Sequence, residues 1–355
     1  MPFYILTISP FGPRETMIWT GLIMGITPFM AAVGSFFWGR LTSRFRAKLL
    51  FERGFLCNGI IVLIMGFTDN LHLLLLLRIF HGLLGGVSTI GLILISGLSP
   101  EERLHKDVSL FQNFITVGQL LGPPLGTYAA SSLGYRGAFI CASALIFISL
   151  YFCHRNVPDI PLRKEEPRQD APRRRLLLWG WALGLIGTIQ ITFLPSILPR
   201  VLEGFDFRGN AALNLAGTLI MLYTGTAILG NYGFSRLSSR IGLKKVITVV
   251  CLSAACLQLL LYLPSGVGSF IVIRMIQTGF IAAVFPLTIS LFAQGAGGGT
   301  IGFLNSARFF GNGLGPLLAT SVLAYFNLLT LYIFIAGSTL IAMWIFLTSS
   351  KNQEA

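Results

Sequence analysis

Gly39-Arg40-Leu41-Thr42-Ser43-Arg44-Phe45-Arg46-Ala47-Lys48 is a short basic stretch between two apolar runs. Its core returns 196 residues later as Arg236-Leu237-Ser238-Ser239-Arg240. Two further matches follow in the same order. Arg78 lies in an apolar run and Arg274 repeats it at the same offset of 196, while Leu121-Gly122-Pro123 returns as Leu314-Gly315-Pro316 at an offset of 193. Signals that recur in order, each at an equivalent place, mark two sequence-related halves in parallel repeat.

The solvent around those halves follows from composition. Of 355 residues, 54% are hydrophobic and 11% charged, against about 25% charged in a soluble domain. The mean hydropathy is +0.76. A water-soluble core cannot hide that much apolar surface, so lipid is the main solvent. Eleven apolar segments are visible, at about 18–37, 49–67, 71–98, 108–130, 137–153, 176–200, 211–233, 246–263, 268–293, 301–325 and 329–348. Backbone polar groups inside hydrocarbon must pair within their own segment, which makes these helices.

The net charge of +13 would suggest nucleic acid in a soluble protein. Here its distribution sets orientation instead. Alternate connections hold 18 of the 26 Lys and Arg, including Arg40, Arg44, Lys48, Arg236, Arg240 and the polar stretch 154–175; the opposite set holds four. The positive-inside rule places the rich set and the C-terminus in the cytoplasm. The N-terminus then lies outside with an apolar opening too short to cross, from which the expectation is that most of a first helix is missing. Residues 154–175 are a cytoplasmic linker dividing a first bundle (1–153, helix 1 truncated, helices 2–6) from a second (176–355, helices 7–12).

These residues resemble the major facilitator superfamily. The loop from Gly39 to Lys48 resembles its signature between the second and third helices. Arg78-Ile79-Phe80-His81-Gly82 resembles its fourth-helix motif, and Gly118-Gln119-Leu120-Leu121-Gly122-Pro123-Pro124-Leu125-Gly126 the fifth-helix motif of drug:proton antiporters. The resemblance implies an all-α membrane fold of two pseudo-symmetric six-helix bundles that export drugs by proton-coupled alternating access. Two positions depart from the pattern: Ser43 stands where the family has Asp, and Arg46 where it has Gly. Ser43 can cap a helix but cannot form the ion pair that latches the family's closed state.

Gly118, Gly122 and Gly126 share one helix face, since positions four apart stack. Small residues there let helix backbones approach closely, and Pro123 and Pro124 remove donors and bend the helix. Gly311, Gly315 and Pro316 repeat the pattern. Charge within a span is costly unless it meets water or a partner, so Arg78, Arg274 and Arg308 are candidates for holding substrate or for coupling, with carbonyl capping or snorkelling as the alternative. His81 shares the face of Arg78 and is titratable near neutral pH. None of the thirteen acids falls in the middle of a span. The polar residues Gln112, Asn113, Gln190, Tyr223, Gln277, Asn305 and Asn312 could line a central path or bond between helices. Gly297-Gly298-Gly299-Thr300-Ile301-Gly302 has dinucleotide-loop spacing but follows a membrane span rather than a strand, which argues against a nucleotide site. No CxxC or HExxH spacing occurs, so neither metal, cofactor nor enzyme chemistry is expected.

The resulting expectation is a monomeric, multi-pass inner-membrane transporter exporting hydrophobic or amphipathic molecules, with protons as coupling ion. An anion transporter of the same fold, and an inactive remnant or membrane sensor, are the alternatives.

Overall fold

The computed structural model describes residues 1–41, 44–100, 103–159, 174–293 and 298–351. Among these the chain is helical, without a strand. In order the helices are α1 (Pro2–Ile8), α2 (Pro13–Leu41), α3 (Ala47–Gly66), α4 (Leu71–Gly85), α5 (Val87–Leu98) and α6 (Leu104–Asn156). After the linker come α7 (Arg174–Thr192), α8 (Leu194–Glu203), α9 (Gly209–Ile241), α10 (Leu243–Leu260), α11 (Val267–Ala282), α12 (Val284–Ala293), α13 (Gly298–Tyr325) and α14 (Leu328–Lys351). Nine segments among the described residues are long and apolar enough to cross a bilayer. One of these, Lys106–Asn156, has 51 residues. That is about 75 Å of helix, more than twice a hydrocarbon core of about 30 Å. Its backbone leaves helical geometry at Gly134 (φ 73°, ψ 170°), between the two spans the sequence places at 108–130 and 137–153. Pro123 and Pro124 both sit inside helical backbone, and the residue that leaves helical geometry is a glycine able to adopt positive φ.

Three runs read as single helices are broken. The run 71–98 divides at Gly86, whose φ of 58° is left-handed. The run 176–200 divides at Phe193, two residues before Pro195, and 268–293 divides at Ala283, three before Pro286. Proline has no N–H and its ring clashes with the carbonyl four residues upstream, so hydropathy stays high through a break that the backbone cannot avoid.

The chain forms two compact units. The first holds Phe3–Pro10 and the chain from Ile26 to the linker; the second holds Phe11–Gly25 and the chain beyond the linker. In the first, α3 packs along α6 through its own glycines. A Cβ on Gly59 would lie 2.8 Å from the Phe147 ring, one on Gly66 would lie 2.7 Å from Phe139 Cβ, and Ser143 donates to the Gly59 carbonyl at 2.8 Å. At the end of α6, Lys48 Nζ donates to the His154 carbonyl (2.9 Å) and pairs with Glu52 (3.7 Å), and Arg46 pairs with Asp159 (3.7 Å).

In the second unit, α7 packs on α13 and α14, and α9 crosses α11. The core between α7, α10, α12 and α14 is built on Leu183, Ile247, Val250, Val284, Leu287 and Phe346, all at most 1% exposed. The sequence repeat is visible as geometry. Gly34 lies against the Leu83 carbonyl in the first unit and Gly230 against the Gly279 carbonyl in the second, and both pairs are related by the offset of 196. Thr27 Oγ1 donates to the Arg78 carbonyl (2.9 Å), as Thr226 Oγ1 does to the Met275 carbonyl (2.7 Å).

Candidate functional site

The second unit gathers four of the expected polar residues. Arg274, on α11, is 0% exposed. Its Nη1 donates to Gln277 Oε1 (2.6 Å) and to the Gln190 carbonyl (3.1 Å), and its Nη2 donates to the Ile191 carbonyl (2.8 Å). The guanidinium also lies 4.8 Å from the Tyr223 ring centroid and 5.0 Å from that of Phe193. Gln277 Nε2 donates to Gln258 Oε1 (3.1 Å). The Gln190 amide reaches the Ala254 carbonyl (3.3 Å) and Gln258 Oε1 (3.4 Å), and Thr339 donates to Gln190 Oε1 (3.3 Å). One network therefore ties α7, α10, α11 and α14. Two donors in it, Arg274 Nε and Gln258 Nε2, are buried without a partner.

Among the described residues every hydrogen-bond acceptor of Arg274 is neutral. An ion pair is not what holds this buried cation: carbonyl and amide dipoles do, which is the capping alternative raised for the intramembrane arginines. Sequence reasoning missed Gln258, Thr339 and Tyr332, whose ring lies edge-on to Phe193 with centroids 6.2 Å apart. Gln258 is a lone amide in an apolar run, the criterion that picks out Gln190 and Gln277, so its signal was present. Threonine and tyrosine are common in spans and carry no such mark.

The expected residues of α13 differ in burial. Gly311 and Gly315 are buried against α7: a Cβ on Gly311 would lie 2.6 Å from Thr188 Cβ and 2.9 Å from the Leu185 carbonyl, and Thr192 donates to the Gly311 carbonyl (3.2 Å). Pro316 is buried beside them. Asn305 and Arg308 are exposed and Asn312 half-buried. Positions 305, 308 and 312 share a helix face. Arg308 has no ion-pair partner among the described residues.

In the first unit, Arg78 and His81 lie half-buried on α4, and His81 Nδ1 is buried without a hydrogen-bond partner. The offset of 196 pairs Arg78 with Arg274 and His81 with Gln277, so a titratable ring stands where the other half has an amide. Gln112 and Asn113 are exposed on α6. Within the first unit a Cβ on Gly118, Gly122 or Gly126 meets nothing within 4 Å. The glycines of α3 make the tight contact with α6 instead. Gly39 and Arg40 end α2, Ser43 and Gly297 lie outside the described residues, and Arg44, Arg236 and Arg240 are exposed.

The first unit also contains a site that sequence reading did not foresee. At the α4–α5 break, Trp38 Nε1 donates to the Leu83 carbonyl (2.7 Å) and Arg53 Nη2 to the Leu84 carbonyl (2.8 Å), with the guanidinium 3.5 Å above the Trp38 ring centroid. In both units an arginine satisfies carbonyls that a broken helix leaves over.

The Major Facilitator Superfamily model matches residues 1–296. The chain belongs to this superfamily. It is 28% identical to the uncharacterized MFS-type transporter YuxJ of Bacillus subtilis, over 100% of this chain and 95% of the relative. It is 26% identical to the multidrug resistance protein MdtG of Klebsiella pneumoniae, over 96% of this chain and 85% of the relative. Among solved structures, this superfamily member resembles a bacterial homologue of the human lysosomal transporter Spinster, inward-facing and unoccupied. That match has a TM-score of 0.77 at 13% identity, covering 99% of this chain and 93% of the other. It also resembles the nucleoside transporter NupG, with a TM-score of 0.73 at 16% identity, covering 98% and 92%. The fold is thus of the superfamily's type, and the chain is a multi-pass membrane transporter rather than an enzyme.

Proposed function

We propose that this transporter exports small hydrophobic or amphipathic molecules by alternating access, with protons as the coupling ion. The observation that carries the reading is Arg308 on α13, exposed and without an ion-pair partner among the described residues, with Asn305 and Asn312 at helical spacing beside it. An unpaired guanidinium in a membrane helix must meet water, so this face belongs beside an aqueous path. Similarity to multidrug resistance proteins over nearly the whole chain supports a lipophilic cargo. His81 is the proposed proton carrier, being a titratable ring at a position the second half fills with Gln277. The charge distribution supports an inner-membrane protein with a cytoplasmic C-terminus, and the reading takes the monomer as the working unit.

The test is efflux of ethidium from cells expressing the chain, with and without a protonophore. Active extrusion that stops when the gradient collapses is the expected result; ethidium retention equal to vector controls defeats the proposal. Arg308→Ala is expected to slow efflux at least about tenfold, the equivalent of ~1.4 kcal/mol. His81→Gln copies the second half's residue. It is expected to retain downhill ethidium movement and lose accumulation driven by a pH gradient; driven transport at the parent rate would remove His81 from the mechanism.

A second reading, an organic or inorganic anion as cargo, is favoured by the same unpaired Arg308. Competition by anionic compounds that Arg308→Glu abolishes would select it.

A further inference from the structure

Arg274 is the obvious intramembrane charge to assign to cargo, and its surroundings argue otherwise. Pro195 has no N–H, so the Ile191 carbonyl four residues upstream lacks its helical donor. Arg274 Nη2 supplies one at 2.8 Å, and Nη1 binds the neighbouring Gln190 carbonyl at 3.1 Å. Two successive carbonyls at the end of α7 are thus capped by one guanidinium from α11. Its remaining Nη1 bond goes to Gln277, which continues the network to Gln258 on α10. The side chain of Gln190 ties the same turn to α10 and α14. The guanidinium is completely enclosed, with Phe193 of the break and Tyr223 against it.

We infer that Arg274 is a positioning residue that fixes the α7–α8 break in place of the helical hydrogen bond that Pro195 removes, and does not touch cargo. Arginine's planar fork meets the two carbonyls from separate nitrogens, Nη1 and Nη2, whereas the donors of an ammonium radiate from one atom on a shorter side chain and do not match that spacing. The claim concerns the backbone of the second unit and holds whichever molecule is carried, so it stands or falls separately from the proposed export.

The experiment couples Arg274 to Pro195. Pro195→Ala returns an N–H to Ile191, so it should relieve the loss of Arg274. Spin labels are placed at Leu178→Cys on α7 and Arg200→Cys on α8, both exposed, in the full chain with its five native cysteines replaced, and the label-to-label distance is measured. Straightening a kink of about 20° over α8, about 15 Å long, moves its far end by roughly 5 Å. Arg274→Met and Arg274→Lys should each shift or broaden the distance distribution on that scale. Arg274→Met with Pro195→Ala should give one narrow distribution again. An unchanged distribution in Arg274→Met overturns the inference, as does an equal disturbance with and without Pro195→Ala. Should Arg274→Met fail to accumulate as folded protein, recovery of folded yield by Pro195→Ala supports the inference and failure to recover overturns it. In variants that transport ethidium, a reduced maximal rate at unchanged KM is expected; a raised KM at unchanged maximal rate would return Arg274 to the cargo site.

Discussion

Gly230→Ala is expected to destabilise the second unit more than any other single-methyl addition on α9 or α11, and Gly230→Leu to abolish folded protein. A Cβ built on Gly230 lands on the Gly279 carbonyl, with the carbonyl carbon 2.6 Å away and Gly279 Cα 2.9 Å away. These are backbone atoms, so no rotamer change can give way, and the α9–α11 crossing itself must open. Overpacking a close contact costs about 1–3 kcal/mol where side chains can adjust; here the upper end is the starting point. Opening the crossing would also lengthen the 2.7 Å bond from Thr226 Oγ1 to the Met275 carbonyl. The partner glycine supplies the control. A Cβ on Gly279 would come no closer than 3.3 Å, to the Thr226 carbonyl, so Gly279→Ala should cost well under half as much. Thermal unfolding in detergent, followed by the loss of monodisperse protein, ranks the two. Equal midpoints for Gly230→Ala and Gly279→Ala would show that the crossing is not the constraint these distances describe.

The membrane fold and its division into related halves were legible because both rest on periodic, redundant signals. Hydropathy over about 20 residues cannot hide, and the paired arginines and Gly-Pro elements kept an almost constant offset. The breaks were less visible. The sequence shows Pro195 and Pro286, yet the apolar runs continue through them and hydropathy is blind to a missing N–H. At Gly118, Gly122 and Gly126 the spacing defines a face without saying what lies opposite, and inside the first unit nothing packs on it. Gly59 and Gly66 on α3 make close contact with α6, at a spacing of seven that carries no motif signal. The site was legible in part. Gln190, Tyr223, Arg274 and Gln277 stood out as polar groups in apolar runs, and the fold brings those four together. What could not be read was their purpose. Whether an arginine faces cargo or a carbonyl depends on which broken helix lies beside it, and that is a property of tertiary packing.

The same distinction makes the α4–α5 break the place where a single side chain outside the proposed path should matter most to the first unit. Trp38→Ala is expected to cost about 3–5 kcal/mol, the range for removing a buried aromatic. Trp38 is 9% exposed in a core with Ala47, Leu50, Ile90 and Leu94. Its ring closes on Gly86, where a Cβ would lie 2.6 Å from Trp38 Cδ1, and it supports the Arg53 guanidinium. Trp38→Phe separates the contributions. A six-membered ring stays, while the Nε1 donor is lost together with the indole's second ring; the unpaired Leu83 carbonyl costs about 1 kcal/mol, near the usual worth of an interhelical hydrogen bond in a membrane, and the smaller ring adds a modest packing loss. Arg53→Met removes the companion cap on Leu84 and should fall between the two. Unfolding midpoints in the order wild type, Trp38→Phe, Arg53→Met, Trp38→Ala are the expected outcome; Trp38→Phe as damaging as Trp38→Ala would mean that the donor, not the ring, carries the site. The consequence reaches the proposed coupling group, because the break decides where α4 ends. Gly86 lies only five residues beyond His81, so a loosened cap lets the last turn of α4 fray toward that ring. Trp38→Ala protein that still folds at low temperature should therefore show weakened gradient-driven ethidium efflux before it shows weakened downhill movement.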